Sequence, residues 1–166
     1  MPTYDALSAE CRVFTYKEGL LSAVAHDLEI DVARFAIEVA DDASIRATFD
    51  PTSLRVVDPI VDGRRAPGAL SAKDRSKIEA YIHSEVLHPN EHPTIRFVST
   101  QVDETSIRGR LELHGRSRPI TLRRSGDEVE VTLHQADFGI KPFTALLGTL
   151  KIKPDVRVRL RLGPLY

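Results

Sequence analysis

Long stretches of this chain alternate strictly between apolar and polar residues, and this pattern constrains the fold more than any other feature. In segment 106–114, Ile107, Leu111 and Leu113 take one parity, whereas Arg108 and Arg110 take the other. Successive side chains of a β-strand point to opposite faces, so such a segment has one dry face and one wet face. This is typical of antiparallel sheets that cover a core on one side. The same alternation occurs in segments 44–50, 128–134 and 155–162.

The segment 26–40 keeps this alternation but changes its phase once. Apolar residues take the even positions of 28–32 and the odd positions of 35–39. In a straight strand, a slip of one residue would turn one of the two halves outward. A β-bulge or sharp bend near Ala33 and Arg34 would keep both halves on the same dry face, and closing sheets use such bends.

Further strands are predicted at 10–17, 94–102 and 118–123, separated by Gly- and Asp-containing turn signals. Together these segments give about eight strands, mostly joined as sequential hairpins. We therefore predict an all-β fold with one helix, as a single domain over residues 1–166, in which an eight-stranded antiparallel sheet forms an up-and-down β-barrel.

One segment follows a helical rather than a strand period. Within 71–87, Ile78, Tyr81, Ile82 and Val86 recur at helical spacing, and Ser71 is placed to cap the N-terminus. The preceding segment 58–68 contains two prolines and two glycines, and we expect it to be a long, irregular loop. Short helical turns are predicted at 19–25 and 143–147.

The bulk composition excludes several classes of protein. With 42% hydrophobic residues in 166, the chain can bury a real core, and a net charge of −1 gives no electrostatic reason to expect nucleic acid as a partner. A single cysteine, Cys11, excludes an intramolecular disulfide. No apolar run is long enough for stable insertion into a membrane. The first residues lack the apolar core of a signal peptide, which predicts a cytoplasmic location.

The histidines do not have the spacing of a metal site. His83, His88 and His92 are five and four residues apart, and Pro89 interrupts any helix between them. We therefore predict no metal and no cofactor. His114 and His134 fall on the polar parity of their strands, so we expect both to be exposed.

The pair His26 and Asp27 leaves two interpretations open. A carboxylate beside an imidazole can form a catalytic pair or a ligand clamp, and it can equally be the hydrogen-bonded start of a strand. Adjacent residues of a strand point to opposite faces, which favours the structural role. Because no nucleophile or phosphate-binding motif occurs, we predict no catalytic residues and a protein that is not an enzyme. The alternative is a small hydrolase or metal-dependent enzyme that uses this pair.

Two groups of arginines need separate interpretations. Arg157, Arg159 and Arg161 alternate with a core face, so we interpret them as a solvated outer face that acidic residues balance. The basic residues around the helix start could instead pair with an anionic head group at a barrel mouth, or could simply keep a loop hydrated. That second group comprises Arg64, Arg65, Lys73 and Arg75.

Four motifs, in this order along the chain, resemble the YceI-like family of lipocalin-like proteins. The segment 71–97 resembles its helix followed by a strand with Pro93, Ile95 and Phe97, and 109–122 (GRLELHGRSRPITL) resembles its central hairpin. The segments 19–27 and 137–162 are similar to its opening and closing motifs. The resemblance implies a barrel that holds a long isoprenoid chain, such as a polyprenyl phosphate or a quinone tail.

The inward residues support the same function on physical grounds. An eight-stranded barrel either packs its interior with side chains or holds one small ligand. We predict a binding protein for an apolar isoprenoid-type lipid, with His26 and the basic residues Arg64, Arg65 and Arg75 as candidates near its polar end. A plugged barrel that acts as an interaction module is a third class, and the sequence does not distinguish a monomer from a homodimer. The predicted wall residues are Phe35, Phe49, Phe97, Leu111, Val131 and Val158.

Overall fold

In the computed structural model, which describes residues 3–18, 26–141, 144–145 and 150–162, strands dominate and one α-helix interrupts them. The helix α1 spans Ala72–Tyr81, and a π-helical segment, Ile82–Leu87, continues it. The strands are β1 (Thr3–Asp5), β2 (Glu10–Thr15), β3 (Lys17–Glu18), β4 (Asp27–Val32), β5 (Phe35–Val39), β6 (Ile45–Phe49), β7 (Leu54–Val61), β8 (Arg64–Arg65), β9 (Ile95–Val102), β10 (Ser106–Leu113), β11 (Arg116–Ser125), β12 (Glu128–His134), β13 (Thr144–Ala145), β14 (Leu150–Ile152) and β15 (Asp155–Arg161).

The main sheet is antiparallel throughout and returns to the segment where it starts. Strand β5 pairs with β6, and the order continues β9, β10, β11, β12, β15, β2 and β4. Because β4 and β5 are the two halves of one bent segment, the sheet curls round into a barrel. The segment formed by β1 and β2 lies on one side of this bent segment, and the segment formed by β6 and β7 lies on the other. Both are interrupted beside the bend, so that β1 and β6 pair with β5, whereas β2 and β7 pair with β4. When each interrupted segment counts once and the two-residue strand β8 is set aside, the 12-stranded sheet has the predicted eight strands. Strands β13, β14 and β3 form a small second sheet.

The bend predicted at Ala33 and Arg34 lies between β4 and β5 and is held by the backbone and side chain of Ser53. The Ala33 N–H donates to the Ser53 carbonyl at 3.0 Å, and the Arg34 N–H donates to Ser53 Oγ at 3.0 Å. The Arg34 carbonyl accepts from the Asp50 N–H, also at 3.0 Å. Ser53 is only 1% exposed, so these bonds are shielded from water. The phase change in the sequence is therefore confirmed as a bend.

The predicted irregular loop at 58–68 is wrong. Strand β7 runs through Val61, and a two-residue turn at Asp62 and Gly63 leads directly into β8. Both turn residues have positive φ, 53° and 76°, which is the type I′ geometry that matches the twist of a hairpin and that Asp-Gly favours. Pro59 lies within β7 opposite Leu28, two residues from an irregularity at Val57 in the pairing with β4.

The helix predicted at 71–87 is confirmed, with a change of helix type in its second half. Ser71 caps α1, since its hydroxyl accepts from the Asp74 N–H at 3.1 Å. The π-helical segment ends at His88, which adopts a left-handed conformation with φ 46°. The turns predicted at 19–25 and 143–147 lie outside the described residues, except for Thr144 and Ala145, which form β13 instead.

Helix α1 docks on the edge of β7 through charged side chains. The Glu79 carboxylate accepts from the Val56 N–H at 3.3 Å, and Arg75 donates to the Val57 carbonyl. Arg75 also forms an ion pair with Asp58 at 2.8 Å. Polar side chains thus satisfy backbone groups on a strand edge that would otherwise be open to further pairing. The helix is thereby fixed beside the barrel.

Gly109 provides a test of the packing inside the sheet. It faces inward on β10, and an added Cβ would lie 2.5 Å from the Phe97 ring and also against the Val98 carbonyl. We expect Gly109→Ala to lower the free energy of unfolding by about 1–3 kcal/mol, as overpacking does in a filled site. Urea denaturation measures this. Gly68→Ala is the matched control, because nothing lies within 4 Å of that position, and it should change stability little. Equal stability of the two variants would contradict the packing described.

Candidate ligand-binding cavity

The barrel encloses a cavity of about 870 Å³. Its wall is built mainly from Ile, Leu, Val and Phe side chains on the inward faces of the strands. Both halves of the bent segment contribute, with Leu28, Ile30 and Val32 before the bend and Ile37 and Val39 after it. The bend therefore explains the phase change in the sequence, because it keeps both apolar runs on the interior surface of the barrel.

Five of the six predicted wall residues line this cavity. Phe97 lies opposite Leu111 across β9 and β10, and Val131 lies opposite Val158 across β12 and β15. The fifth is Phe49.

Phe35 is the exception among the predicted wall residues. It is buried, but its ring stacks on the ring of Phe49 with centroids 5.9 Å apart, and of the two only Phe49 lines the cavity. Strand parity places Phe35 on the correct side of the sheet. Parity alone does not show that its cross-strand partner occupies the interior surface.

The helical segment supplies a part of the wall that the strand pattern did not predict. Ile78, Ile82, Val86 and Leu87 line the cavity and pack against the core. Their helical spacing was visible in the sequence, but nothing in the sequence placed this face over the barrel interior. The wall is thus a sheet completed by a helix.

A few polar groups line the cavity, and two of them belong to neighbouring segments, since Thr15 ends β2 and His26 immediately precedes β4. Thr15 is directly opposite Leu28 in the pairing of β2 with β4, and His26 precedes Leu28 by two residues. Both are half-buried. The Thr15 hydroxyl oxygen is buried and has no hydrogen-bond partner among the described residues. Asp74 and Lys77 on α1 also line the cavity and are exposed, so the cavity reaches solvent beside the helix.

His26 and Asp27 do not act on the same space. His26 lines the cavity, but Asp27 is not part of its lining. The Asp27 carboxylate instead accepts from the Lys17 N–H at 2.8 Å, which ties the start of β4 to β3. These neighbouring residues therefore point to different surroundings, as adjacent residues in extended backbone do.

Arg64 and Arg65 lie on β8, outside the cavity lining. Arg65 makes two hydrogen bonds to Glu29, at 3.0 and 2.7 Å, and Arg12 reaches the same carboxylate at 3.2 Å. Glu29 is only 3% exposed, and its pKa lies below the ordinary value because the hydrogen bond from Arg65 outweighs the effect of burial. Arg64 is exposed.

Arg75 is also outside the cavity lining, since its guanidinium is directed to Val57 and Asp58. The arginines of the predicted head-group set are therefore placed around the barrel rather than in its interior, and two of them have partners within the protein.

The arginines of β15 lie on the outer face, as the sequence indicated. Arg157 is 3.7 Å from Glu130, Arg159 is 3.9 Å from Glu10, and Arg161 is 3.5 Å from Glu128. In addition, the guanidinium groups of Arg157 and Arg159 lie 4.6 and 5.0 Å from the centroid of the Phe14 ring. Ion pairing and cation–π contacts thus balance this basic row within the protein.

The expectation that His114 is exposed is wrong, whereas His134 is exposed and hydrogen-bonded to Asp155 at 2.6 Å. The His114 ring is half-buried and contacts His92 and His88, with centroids 4.4 and 5.6 Å apart. Its turn packs against the connection that follows the helix, which strand parity does not reveal. In the part of the chain that the structure describes, no group of three or more His, Cys, Asp or Glu side chains has the arrangement of a metal site.

Cys11 is buried in the cavity wall and is chemically protected there. Burial, together with the nearby Asp31 carboxylate, raises the pKa of its thiol to about 12. Because the thiolate is the reactive form, this cysteine is an apolar wall residue rather than a nucleophile.

Comparison with known proteins gives a consistent result. A sequence model described as the YceI-like domain matches residues 6–163. A polyisoprenoid-binding domain from Saccharophagus degradans superposes with a TM-score of 0.57 at 10% identity, covering 94% of each chain. A YceI protein from Campylobacter jejuni superposes with a TM-score of 0.47 at 12% identity, covering 68% of this chain and 71% of that one. No curated protein matches significantly. No helix among the described residues could cross a membrane.

The histidine contacts predict a pH dependence of stability. Burial, then the neighbouring His92, lowers the pKa of His114 from its ordinary 6.5, so the folded protein favours the neutral ring. The unfolded chain binds the proton more readily. The free energy of unfolding should therefore fall as the pH drops below 6.5, towards the lower pKa of the folded state.

Urea denaturation at about pH 7.5 and about pH 5.5 measures this dependence on either side of the ordinary histidine pKa. His114→Asn removes the titrating ring and tolerates the positive φ at this position, so it should lose less stability on acidification than the natural protein. His134 acts in the opposite direction, because its hydrogen bond to Asp155 raises its pKa, and it is present in both proteins. An identical loss in both would contradict the assignment to His114.

Proposed function

Because this chain belongs to the YceI-like family, we propose that it binds a long apolar isoprenoid-type lipid inside its barrel, as a carrier or sequestering protein. A polyprenyl phosphate and a quinone are the two candidate ligands. The observation that carries the proposal is the apolar cavity of about 870 Å³, lined by both the sheet and the helix. The polyisoprenoid-binding description of the Saccharophagus degradans domain supports the choice of ligand class.

The size and chemistry of the cavity suit such a ligand. Small-molecule pockets commonly have volumes of about 300–1,000 Å³, and this cavity lies in the upper part of that range. Each methylene group that leaves water contributes about 0.8 kcal/mol. About twenty such groups contribute ~16 kcal/mol, which exceeds the estimated 4–15 kcal/mol that association costs. A long chain therefore binds usefully even without strong polar contacts.

The cavity favours binding over the two other classes of function. A plugged barrel serving only as an interaction module would have a filled interior, whereas this one is open along its inward faces. A hydrolase built on His26 and Asp27 would need both groups at the substrate. Asp27 is engaged with Lys17 and does not line the cavity. The proposed role is therefore a binding role without catalysis.

Val131→Trp tests whether the ligand occupies the barrel. Val131 lines the cavity on β12, and an indole there fills space that a lipid chain would need. We expect Val131→Trp to abolish the uptake of geranylgeraniol, as measured by isothermal titration calorimetry. Overpacking a filled core costs about 1–3 kcal/mol, and a substitution into open space should cost less. The chain has no natural tryptophan, so the introduced indole also reports by its fluorescence whether its surroundings are dry.

Thr132→Trp is the matched control, because Thr132 is the next residue of β12 and is exposed. It should leave both stability and uptake nearly unchanged. Strong destabilisation by Val131→Trp with unchanged uptake would show that the barrel interior is solid and that the lipid binds elsewhere.

A further inference from the structure

Exposed residues in the lining mark where the cavity meets solvent, and the inference drawn from them rests on the proposed function. Most lining residues are buried or half-buried, and the exposed ones all lie on α1 or on the turn before it. These four are Ala69, Asp74, Lys77 and Tyr81. On the strands, no lining residue that the structure describes is exposed. A lipid that passes through the described part of the wall therefore passes beside the helix.

Helix α1 covers this opening without being packed into the core. Strands β4 and β10 each place two or more buried apolar side chains in the core, whereas no residue of 72–87 is buried. The residues that the helical segment contributes to the cavity wall, among them Ile78, Ile82 and Val86, are only half-buried. Most of the stability of a helix in a protein comes from packing of its apolar face, so this helix is weakly held.

Two charged side chains hold α1 against β7. Arg75 pairs with Asp58 at 2.8 Å and donates to the Val57 carbonyl. The Glu79 carboxylate accepts from the Val56 N–H at 3.3 Å. Both ions of the Arg75–Asp58 pair are partly exposed and regain water when the helix moves away, so opening leaves no buried charge without a partner.

The far end of the helical segment is anchored and supplies a hinge. The helix changes from α to π type at Ile82, and the π-helical segment ends at His88 in a left-handed conformation. The His88 and His92 rings contact the His114 ring, with centroids 5.6 and 4.4 Å away, which ties this end to the turn after β10. Because π-helical turns are rare and helices bend at them, Ile82–Leu87 is where α1 can pivot.

We infer that α1 is the gate of the cavity: the lipid enters and leaves between α1 and the edge of β7, and the Arg75–Asp58 pair holds the gate closed. The turn before the helix, Pro67–Ala69, is exposed and contains Gly68, so its backbone can follow the movement. The strands do not separate when the gate opens, so the hydrogen-bond ladder of the barrel survives each exchange of ligand.

A reversible covalent bridge across the gate tests this inference. Asp58→Cys combined with Arg75→Cys removes the ion pair and places one thiol on each side of the gate. Dithiobismaleimidoethane then joins the two thiols, and a reductant cleaves the bridge. The natural Cys11 does not compete, because it is buried and its thiol has a pKa of about 12. All-trans-retinol is the probe, since this isoprenoid alcohol fluoresces more strongly in apolar surroundings, and stopped-flow mixing measures its uptake and release.

Before bridging, uptake and release should both be about fivefold faster than in the natural protein, because the ion pair and a backbone hydrogen bond are gone. The equilibrium affinity should change little, since neither Asp58 nor Arg75 lines the cavity. After bridging, both rates should fall below those of the natural protein, and cleavage of the bridge should raise them again. Arg75→Gln alone should also speed both rates, so this expectation does not depend on the double variant. A bridged protein that takes up retinol as fast as its cleaved form would overturn the gate.

Glu128→Cys combined with Arg161→Cys is the matched control. These two residues also form an ion pair, at 3.5 Å, and lie directly opposite each other on β12 and β15, outside the cavity lining. The same bridge should leave the rates of uptake and release unchanged there. Slowing equal to that of the first bridge would contradict the gate, because cross-linking anywhere on the barrel would then have the same effect.

Hydrogen exchange without any lipid separates the gate from the proposed function. The amides of α1 should exchange faster than those of β4 and β10, and the bridge across the gate should slow them. Exchange in α1 that is as slow as in β10 would overturn the gate even where retinol binds. If the natural protein binds neither retinol nor geranylgeraniol at equilibrium, the proposed function fails, whatever the exchange of α1 shows.

Discussion

Ser53 holds the backbone of Ala33 and Arg34 through two hydrogen bonds of 3.0 Å, and the resulting bend lets one segment direct two apolar runs toward the same interior. In a straight strand, the side chains of β5 would face the opposite way from those of β4. The flanking segments β1–β2 and β6–β7 are interrupted at the same level, so three neighbouring strands change direction together. The curvature of the sheet, its return to its own start and the space inside it all depend on this bend.

Helix α1 completes the barrel wall beside the bent segment, where the strands alone leave it open. Strand β9 pairs with β6 but not with β7, and β8 pairs with β7 only at Ile60 and Val61, so the edge of β7 at Val56 and Val57 has no strand beside it in the described part of the chain. Helix α1 lies there, and its apolar residues Ile78 and Ile82 complete the cavity wall. Its charged residues Arg75 and Glu79 satisfy backbone groups of β7 from the outside. A wall segment that is held by a few polar contacts is easier to displace than a strand in a ladder.

The sequence predicted those features that depend on a single segment. Alternation located the strands, the phase change located the bend, and the capping residue Ser71 located the helix start. Five of the six wall residues predicted from the sequence line the cavity, because parity decides which face a strand side chain takes.

Features that depend on a partner elsewhere in the chain were not predictable in this way. Phe35 has the parity of a wall residue, but the ring of Phe49 is the one that lines the cavity. His114 has the parity of an exposed residue, but the connection after the helix places His88 and His92 against it. Arg65 has the chemistry of a phosphate ligand, but its guanidinium pairs with the buried Glu29 carboxylate, which lies far from it in sequence. The turn at Asp62 and Gly63 is different, since its residues do indicate a hairpin, and the nearby prolines obscured that signal.

The central claim is that a hydrocarbon chain fills the barrel, and the dependence of affinity on chain length tests it most directly. Isothermal titration calorimetry with isoprenols of increasing length should show affinity that rises with every added isoprene unit, because each buried methylene contributes about 0.8 kcal/mol. The rise should stop once the chain fills the cavity of about 870 Å³. An affinity that does not change with chain length would contradict the account, because it would place the hydrocarbon chain outside the barrel.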